Sequence, residues 1–147
     1  MTKPVIRRAV AADAPKLADC IDRAYATYAA RIDDLPAVSD GVYEDITANA
    51  VWVAERGDSL VGGLILVLKP TYAILANVVV APSERGTGLG HALILRAEQE
   101  CRERGVATLK LSTHVKMPEN VTLYEHLGWT ETARAGNKVH MEKTLTA

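Results

Sequence analysis

The sequence lacks the marks of a membrane, metal or nucleic-acid protein. No stretch approaches the roughly 20 consecutive apolar residues needed to span a bilayer. The opening Met1-Thr2-Lys3-Pro4 has no apolar signal core, so neither membrane insertion nor export is expected. Cysteine is scarce. Cys20 and Cys101 each sit inside a helical pattern, without metal or redox spacing, which predicts buried free thiols suited to a reducing cytoplasm. Neither sign of charge dominates: 17 Lys and Arg against 18 Asp and Glu leave a formal charge of −1. That balance offers no broad basic field to nucleic acid and leaves a small molecule as the expected partner. No repeat, low-complexity tract or linker interrupts the 147 residues. A chain of this length suits one domain, residues 1–147, with a single sizeable core.

What is present is concentrated between Ala76 and Arg96. A β-branched run, Val78-Val79-Val80, is followed by Pro82, by the glycines Gly86, Gly88 and Gly90, and then by apolar residues at helical spacing: Leu89, Ala92, Leu93, Ala97 and Cys101. This is strand, loop, helix. The glycines let the backbone approach a ligand without a Cβ in the way. A helix starting among them turns its first unpaired N–H groups and the positive end of its dipole toward the loop, and Arg85 adds a charge. The ligand such a site invites is anionic. Two common glycine loops fail on spacing. No Lys follows the glycines, as a Walker loop requires, and the third small residue of the dinucleotide fingerprint would fall on His91 or Leu93.

The rest of the chain reads in order. Val5 to Val10 is an edge strand. Asp13 can cap a helix running to about Ala30 through Leu17, Ile21, Ala24, Tyr25 and Tyr28, with the tyrosines read as core or groove-lining residues. Arg31 to Gly41 is a loop by composition. Ser39 or Asp40 can then cap a short helix through Val42, Ile46 and Ala50. Arg31, Asp34 and Glu44 read as solvated charges, with substrate contact the other option. Val51–Glu55 and Leu60–Leu68 form a hairpin around Arg56-Gly57-Asp58-Ser59, and Gly62-Gly63 inside its second strand predicts a bulge or a close backbone approach. Tyr72–Val80 returns antiparallel. After the long helix, which Gly105 ends, Ala107–His114 must lie parallel to Tyr72–Val80 if the crossover is right-handed. A short helix from Met117 to Leu127 and a closing hairpin, Trp129–Ala133 with Val139–Leu145, complete the chain. The reading predicts an α+β domain with a mixed, mostly antiparallel sheet of about seven strands and flanking helices.

Two segments carry a family resemblance. Arg85, Gly88 and Gly90, preceded by Val80-Ala81-Pro82, resemble the acyl-CoA pyrophosphate loop of the GCN5-related N-acetyltransferases (GNAT), Arg/Gln-x-x-Gly-x-Gly/Ala. Leu123-Tyr124-Glu125-His126-Leu127-Gly128-Trp129 is similar to the family's Leu-Tyr-x-x-Leu-Gly-aromatic segment, and the two stand in the family's order. The resemblance implies a GNAT-like fold whose parallel strand pair splays. It implies acetyl-CoA as co-substrate, held by Val78, Val79, Val80, Arg85, Gly86, Thr87, Gly88, Leu89, Gly90 and His91, with Asn120 and Tyr124 also near it. Tyr124 is implied as the acid that protonates the departing thiolate, a role open to a phenol of reference pKa ~10. Two departures stand out. Met117 occupies a place where many relatives carry Asn, and Ser112 one where some carry a Glu base. His114, on the same side of its strand as Ser112, is then the candidate base or substrate contact, while His126 and His140 read as surface residues. The implied activity is acetyl transfer to a small amine, with a protein or peptide acceptor, or a non-catalytic CoA sensor, as alternatives. A homodimer is expected because sheet edges need cover.

Overall fold

The computed structural model describes residues 3–29, Ile32 and 41–145. Within them lie seven strands, β1 (Val5–Arg8), β2 (Ala50–Arg56), β3 (Ser59–Leu68), β4 (Ala73–Val80), β5 (Thr108–His114), β6 (Thr130–Ala135) and β7 (Lys138–Thr144). Four helices accompany them: α1 (Ala14–Ala29), α2 (Val42–Ala48), α3 (Leu89–Glu103) and α4 (Pro118–His126). The strands form one sheet in the order β1-β2-β3-β4-β5-β7-β6. Every pairing is antiparallel except β4 with β5, which is parallel as the β4–α3–β5 crossover requires.

Period-two alternation assigns the two faces. On β2, Ala50, Trp52 and Ala54 join Leu93, Ile94, Ala97 and Cys101 of α3 in one apolar cluster. Val51 and Val53 join Leu17, Cys20, Ile21 and Ala24 of α1 in the other. Both cysteines are buried and unpaired. The α3 face is also pinned by charge. Lys143 Nζ donates to Glu98 Oε2 at 2.9 Å and to the Leu127 carbonyl at 2.7 Å, tying α3, β7 and the end of α4 together around a carboxylate that is 2% exposed.

Several local expectations change. β1 ends at Arg8 instead of Val10. Asp13 does not cap α1: it closes a 3-10 turn at Ala11–Asp13 by accepting the Val10 N–H at 2.7 Å, and both its oxygens receive the Arg7 guanidinium at 2.8 and 2.9 Å. Those bonds hold its carboxyl below the usual carboxylate range. The short helix starts after Gly41, whose φ of 81° only glycine adopts freely, and ends at Ala48, because Ala50 opens β2. Ser39 and Asp40, named as its caps, lie outside the described residues, as do Arg31 and Asp34; Glu44 is exposed on α2.

The double glycine of β3 serves close approach, and the bulge sits beside it: the register shift between Ala54 and Glu55 leaves Val61 unopposed. A Cβ on Gly63 would stand 2.5 Å from Leu17 Cδ1 and 3.2 Å from the Trp52 carbonyl; one on Gly62 would stand 3.0 Å from both Leu89 Cδ2 and the Val79 carbonyl. The pair thus lets α1 and α3 close on the two faces at one point. Gly63→Ala is expected to destabilise the fold by roughly 1–3 kcal/mol, the usual cost of overpacking. Chemical denaturation checks it. Adding Leu17→Ala should make the combined loss smaller than the sum of the two single losses, because the second change vacates the space the first one needs.

Candidate active site

The site begins with a fault in the sheet. On β4 the register against β3 shifts between Ile65 and Leu66, leaving Ala76 as an unopposed bulge residue. The ladder between β4 and β5 consists of Ala73 with Leu109 and Ile74 with Lys110, and stops there. Past Ile74 the two parallel strands part, and β4's remaining polar groups on that side are left without a β5 partner. A cavity of about 540 Å³ fills the gap. The valines of β4, Val78, Val79 and Val80, lie along it. Val79 is packed into the α1 cluster while Val78 and Val80 pack against the α3 cluster, so backbone is what they offer the cavity.

One end of the cavity meets the glycine loop. Gly86 and Gly88 have φ of 80° and 85°, the left-handed region that favours glycine, and they bend the chain so that α3 starts at Leu89. The first bond of its ladder is Ala92 N–H to the Gly88 carbonyl at 3.0 Å. The N–H groups of Leu89, Gly90 and His91 therefore precede the ladder and point out of the helix's positive end. Arg85 and Gly90 border the cavity; Gly86, Thr87, Gly88, Leu89 and His91 do not. Leu89 instead anchors the turn in the core, 5% exposed, and the His91 side chain is exposed. Thr87 is committed to the loop itself, its hydroxyl donating to the Glu84 carbonyl at 2.6 Å. Glu84 is in turn held by Arg56 through two bonds of 2.8 and 3.0 Å, which lower its carboxyl and fasten the loop to β2 at the β2–β3 turn. Arg85 reaches across to the Ala24 carbonyl of α1 at 3.3 Å.

Helix α4 supplies the opposite wall. Tyr124 is 7% exposed and its ring packs edge-on against Trp129 at 5.7 Å. Burial pushes its hydroxyl well above the ordinary tyrosine range, with a smaller contribution from Tyr25. Asn120 does not extend freely into the gap: its amide donates to Thr113 Oγ1 at 3.3 Å and lies 3.5 Å from Met117 Sδ, bracing α4 on the end of β5.

The base expected at His114 meets an obstacle. The Lys116 N–H donates to His114 Nδ1 at 3.0 Å, so the ring's proton sits on Nε2 and the nitrogen that could accept a proton is already occupied. His114 borders the cavity as a buried, positioned ring and not as an open base. Two polar pairs on the α1 side escaped the sequence reading. Tyr25 donates to Asn77 Oδ1 at 3.2 Å, and Ser112 Oγ lies 2.8 Å from Nδ1 of His140, a residue read as surface. Only strand register brings Ser112 and His140 together. Among the described residues no group of three or more His, Cys, Asp or Glu could hold a metal ion.

Comparison with known proteins agrees with this geometry. A family model described as the acetyltransferase (GNAT) family matches residues 18–129. The chain is 32% identical over 136 residues to the uncharacterized N-acetyltransferase YjgM of Escherichia coli, covering 86% of this chain and 81% of that one. It is 33% identical over 108 residues to an amino-acid acetyltransferase of Mycobacterium tuberculosis, covering 69% and 56%. Among solved structures, the PaiA N-acetyltransferase of Thermoplasma acidophilum in complex with coenzyme A superposes with a TM-score of 0.88 at 18% identity, covering 98% of this chain and all of that one, 100%.

The burial of Tyr124 sets one expectation. A raised value keeps its hydroxyl protonated to higher pH than an ordinary tyrosine of pKa ~10. In a tyrosinate absorbance titration, Tyr124→Phe should remove the component that ionises last and leave the earlier ones in place. Loss of an early component would mean that the hydroxyl is open to water.

Proposed function

We propose that this chain, which belongs to the GNAT acetyltransferase family, moves the acetyl group of acetyl-CoA to a primary amine of a small molecule by direct attack in a ternary complex. The observation that carries the reading is the cavity between the parted strands, with the glycine loop and the start of α3 at one end and Tyr124 on its wall. The residues fit the co-substrate in two respects. The leading N–H groups of α3 and Arg85 suit a pyrophosphate, and Gly90, whose Cβ would stand 3.5 Å from Val80 Cγ2, keeps the corner between loop and β4 open. Acetyl-CoA brings an activated acyl group on a sulfur leaving group.

The chain's own residues do the rest. Along Val78–Val80, the backbone polar groups that face away from β3 have no β5 partner and can pair with an extended amide-bearing arm as a strand would. Tyr124, protonated through the neutral range, holds a proton that a departing thiolate can take. Tyr25 and Asn77 close the α1 side, and the α1 side of the parted strands is where the amine enters. We place the reaction in the cytoplasm, which suits two buried free thiols. We also propose that the chain pairs with itself: β6 is an edge strand with all six residues exposed. Sedimentation showing only monomer at micromolar concentration would remove that part of the proposal.

Two variants test the reading together. Gly90→Val keeps an ordinary backbone angle, unlike any substitution at Gly88, and puts a branched side chain into the corner beside Val80. CoA affinity should fall about 10- to 100-fold, roughly 1–3 kcal/mol of conflict with the bound ligand, with an unchanged melting temperature because the new Cβ meets Val80 Cγ2 at an ordinary 3.5 Å. Tyr124→Phe should bind CoA like the parent and lose about 10²-fold in kcat. No alkaline fall in rate attributable to this tyrosine is expected below its ordinary range of about 10, because its raised value carries the acid form past that point. Unchanged CoA affinity in folded Gly90→Val, or parental turnover in Tyr124→Phe, would contradict the proposal.

A further inference from the structure

The proposed reaction needs a neutral amine, and the ring on β5 that could have accepted its proton has its accepting nitrogen taken up by the Lys116 N–H. The α1 face of the sheet offers another acceptor. Ser112 borders the main cavity where β4 and β5 have parted, and it also borders a shallower recess of about 410 Å³ on the same face. His140 lies in that recess, directly opposite Ser112 in the β5–β7 register, with its Nδ1 2.8 Å from Ser112 Oγ. We propose that Ser112 and His140 form a proton relay in which Ser112 takes the proton from the acceptor's ammonium and His140 receives the proton of the serine hydroxyl. The proposal rests on the acetyl-transfer reading of the site.

The groups facing His140 define its surroundings. On β5, Lys110 and His114 flank Ser112 on the same face; on β7, Lys138 and Glu142 flank His140 itself; β6 presents Ala133 in register. Lys110 is engaged with Glu142 at 3.6 Å and lies over the Tyr72 ring at 4.7 Å. The recess walls come from residues of strands and from Tyr72 just ahead of β4, with no helix residue among them, so His140 is half-buried with a path to water.

The step balances without a further reactant. The ammonium N–H bond breaks as its proton moves to Ser112 Oγ, and the Ser112 hydroxyl proton moves to His140 Nδ1. The amine's electron pair forms the N–C bond as the C–S bond breaks; sulfur takes the Tyr124 proton, the new amide nitrogen sheds its second proton, and Tyr124 recovers one from solvent, so one proton in all is released. The imidazolium then loses one proton to solvent and returns to its Nε2–H tautomer, the form in which Nδ1 can again accept from Ser112. An imidazole suits this duty because one ring nitrogen can accept a proton while the other carries one. The relay and Tyr124 also approach from different sides. Ser112 belongs to the α1 face, and Tyr124 sits on α4 in the α3 cluster, so the proton taken from the amine and the proton offered to the thiolate do not share a route.

Ring nitrogen shifts of the histidines, measured by NMR on the free protein and assigned with His140→Gln, test the resting pair. His140 should carry its proton on Nε2 with Nδ1 accepting, and Ser112→Ala should move that signal; a proton on Nδ1 would overturn the relay whatever the activity. The second arm reads thiol release from acetyl-CoA with a polyamine, an α-amino acid, an amino sugar and a peptide with a free α-amine. Ser112→Ala and His140→Gln should lose about 10²-fold in kcat/KM near neutral pH, and the deficit should shrink at alkaline pH where the amine is already neutral. Ser112→Thr, which keeps the hydroxyl, should retain most of the rate. A parental rate in His140→Gln near neutral pH, with the deficit appearing instead in His114→Gln, would overturn the relay and leave the acetyl-transfer reading standing. No turnover by the parent with any of the four amines would remove that reading and the relay with it.

Discussion

The parting of β4 from β5 is the constraint on which the rest of this structure depends. A continuous parallel ladder would satisfy the polar backbone of both strands and leave no room between them. Here the Ala76 bulge turns β4 away after Ile74, and the candidate site is arranged around the gap that results. Backbone groups deprived of a ladder must find other partners, and unmet they cost about 1–3 kcal/mol each. The gap is therefore held open by what lies around it. Apolar clusters on both faces bury Leu17, Leu64, Leu66, Leu93 and Ile94 almost completely, each contributing roughly 1.5–3 kcal/mol. The strands cannot slide back together without disturbing α1 and α3, which Gly62 and Gly63 let sit close on either side.

The second requirement is that the glycine loop keep its shape while offering unpaired donors. Three fastenings do this from outside the loop. Glu84 is clamped by Arg56, Leu89 is sunk in the core, and Arg85 bridges to α1. Because the anchoring falls to Glu84, Thr87 and Leu89, the positions at Gly86, Gly88 and Gly90 remain free of side chains, and the first N–H groups of α3 stay unpaired. Polar residues within the loop therefore differ in role: Thr87 serves the turn, while Arg85 both braces the loop on α1 and borders the cavity.

The order of elements and the mixed sheet were legible because they rest on local signals: alternation along β2 and β3, helical spacing in α1 and α3, and glycines at loop and helix ends. The Arg85–Gly90 loop and the Leu123–Trp129 segment were legible as spacing. What was not legible depends on backbone conformation and on pairings that spacing does not report. Asp13 reads as a helix cap, and nothing local says that it turns back to Arg7. Gly41 was passed over for Ser39 and Asp40 because a side-chain cap is the commoner signal, whereas here the turn needs a left-handed backbone angle. His140 reads as surface because its partner, Ser112, is 28 residues away and is found only once β5 and β7 are in register. His114 reads as a base from its strand position, and a single backbone N–H two residues on reverses that reading.

Acetyl transfer from acetyl-CoA to an amine in the cavity between the parted strands is the central event, and a thiol-release assay of the parent chain with a polyamine, an α-amino acid, an amino sugar and a peptide reads it directly. At least one small amine should give thiol release that depends on its concentration and rises with both substrates together, as a ternary complex demands, and should outpace the peptide. CoA binding without amine-dependent thiol release from any of them would contradict the account and leave a binding protein in place of an enzyme.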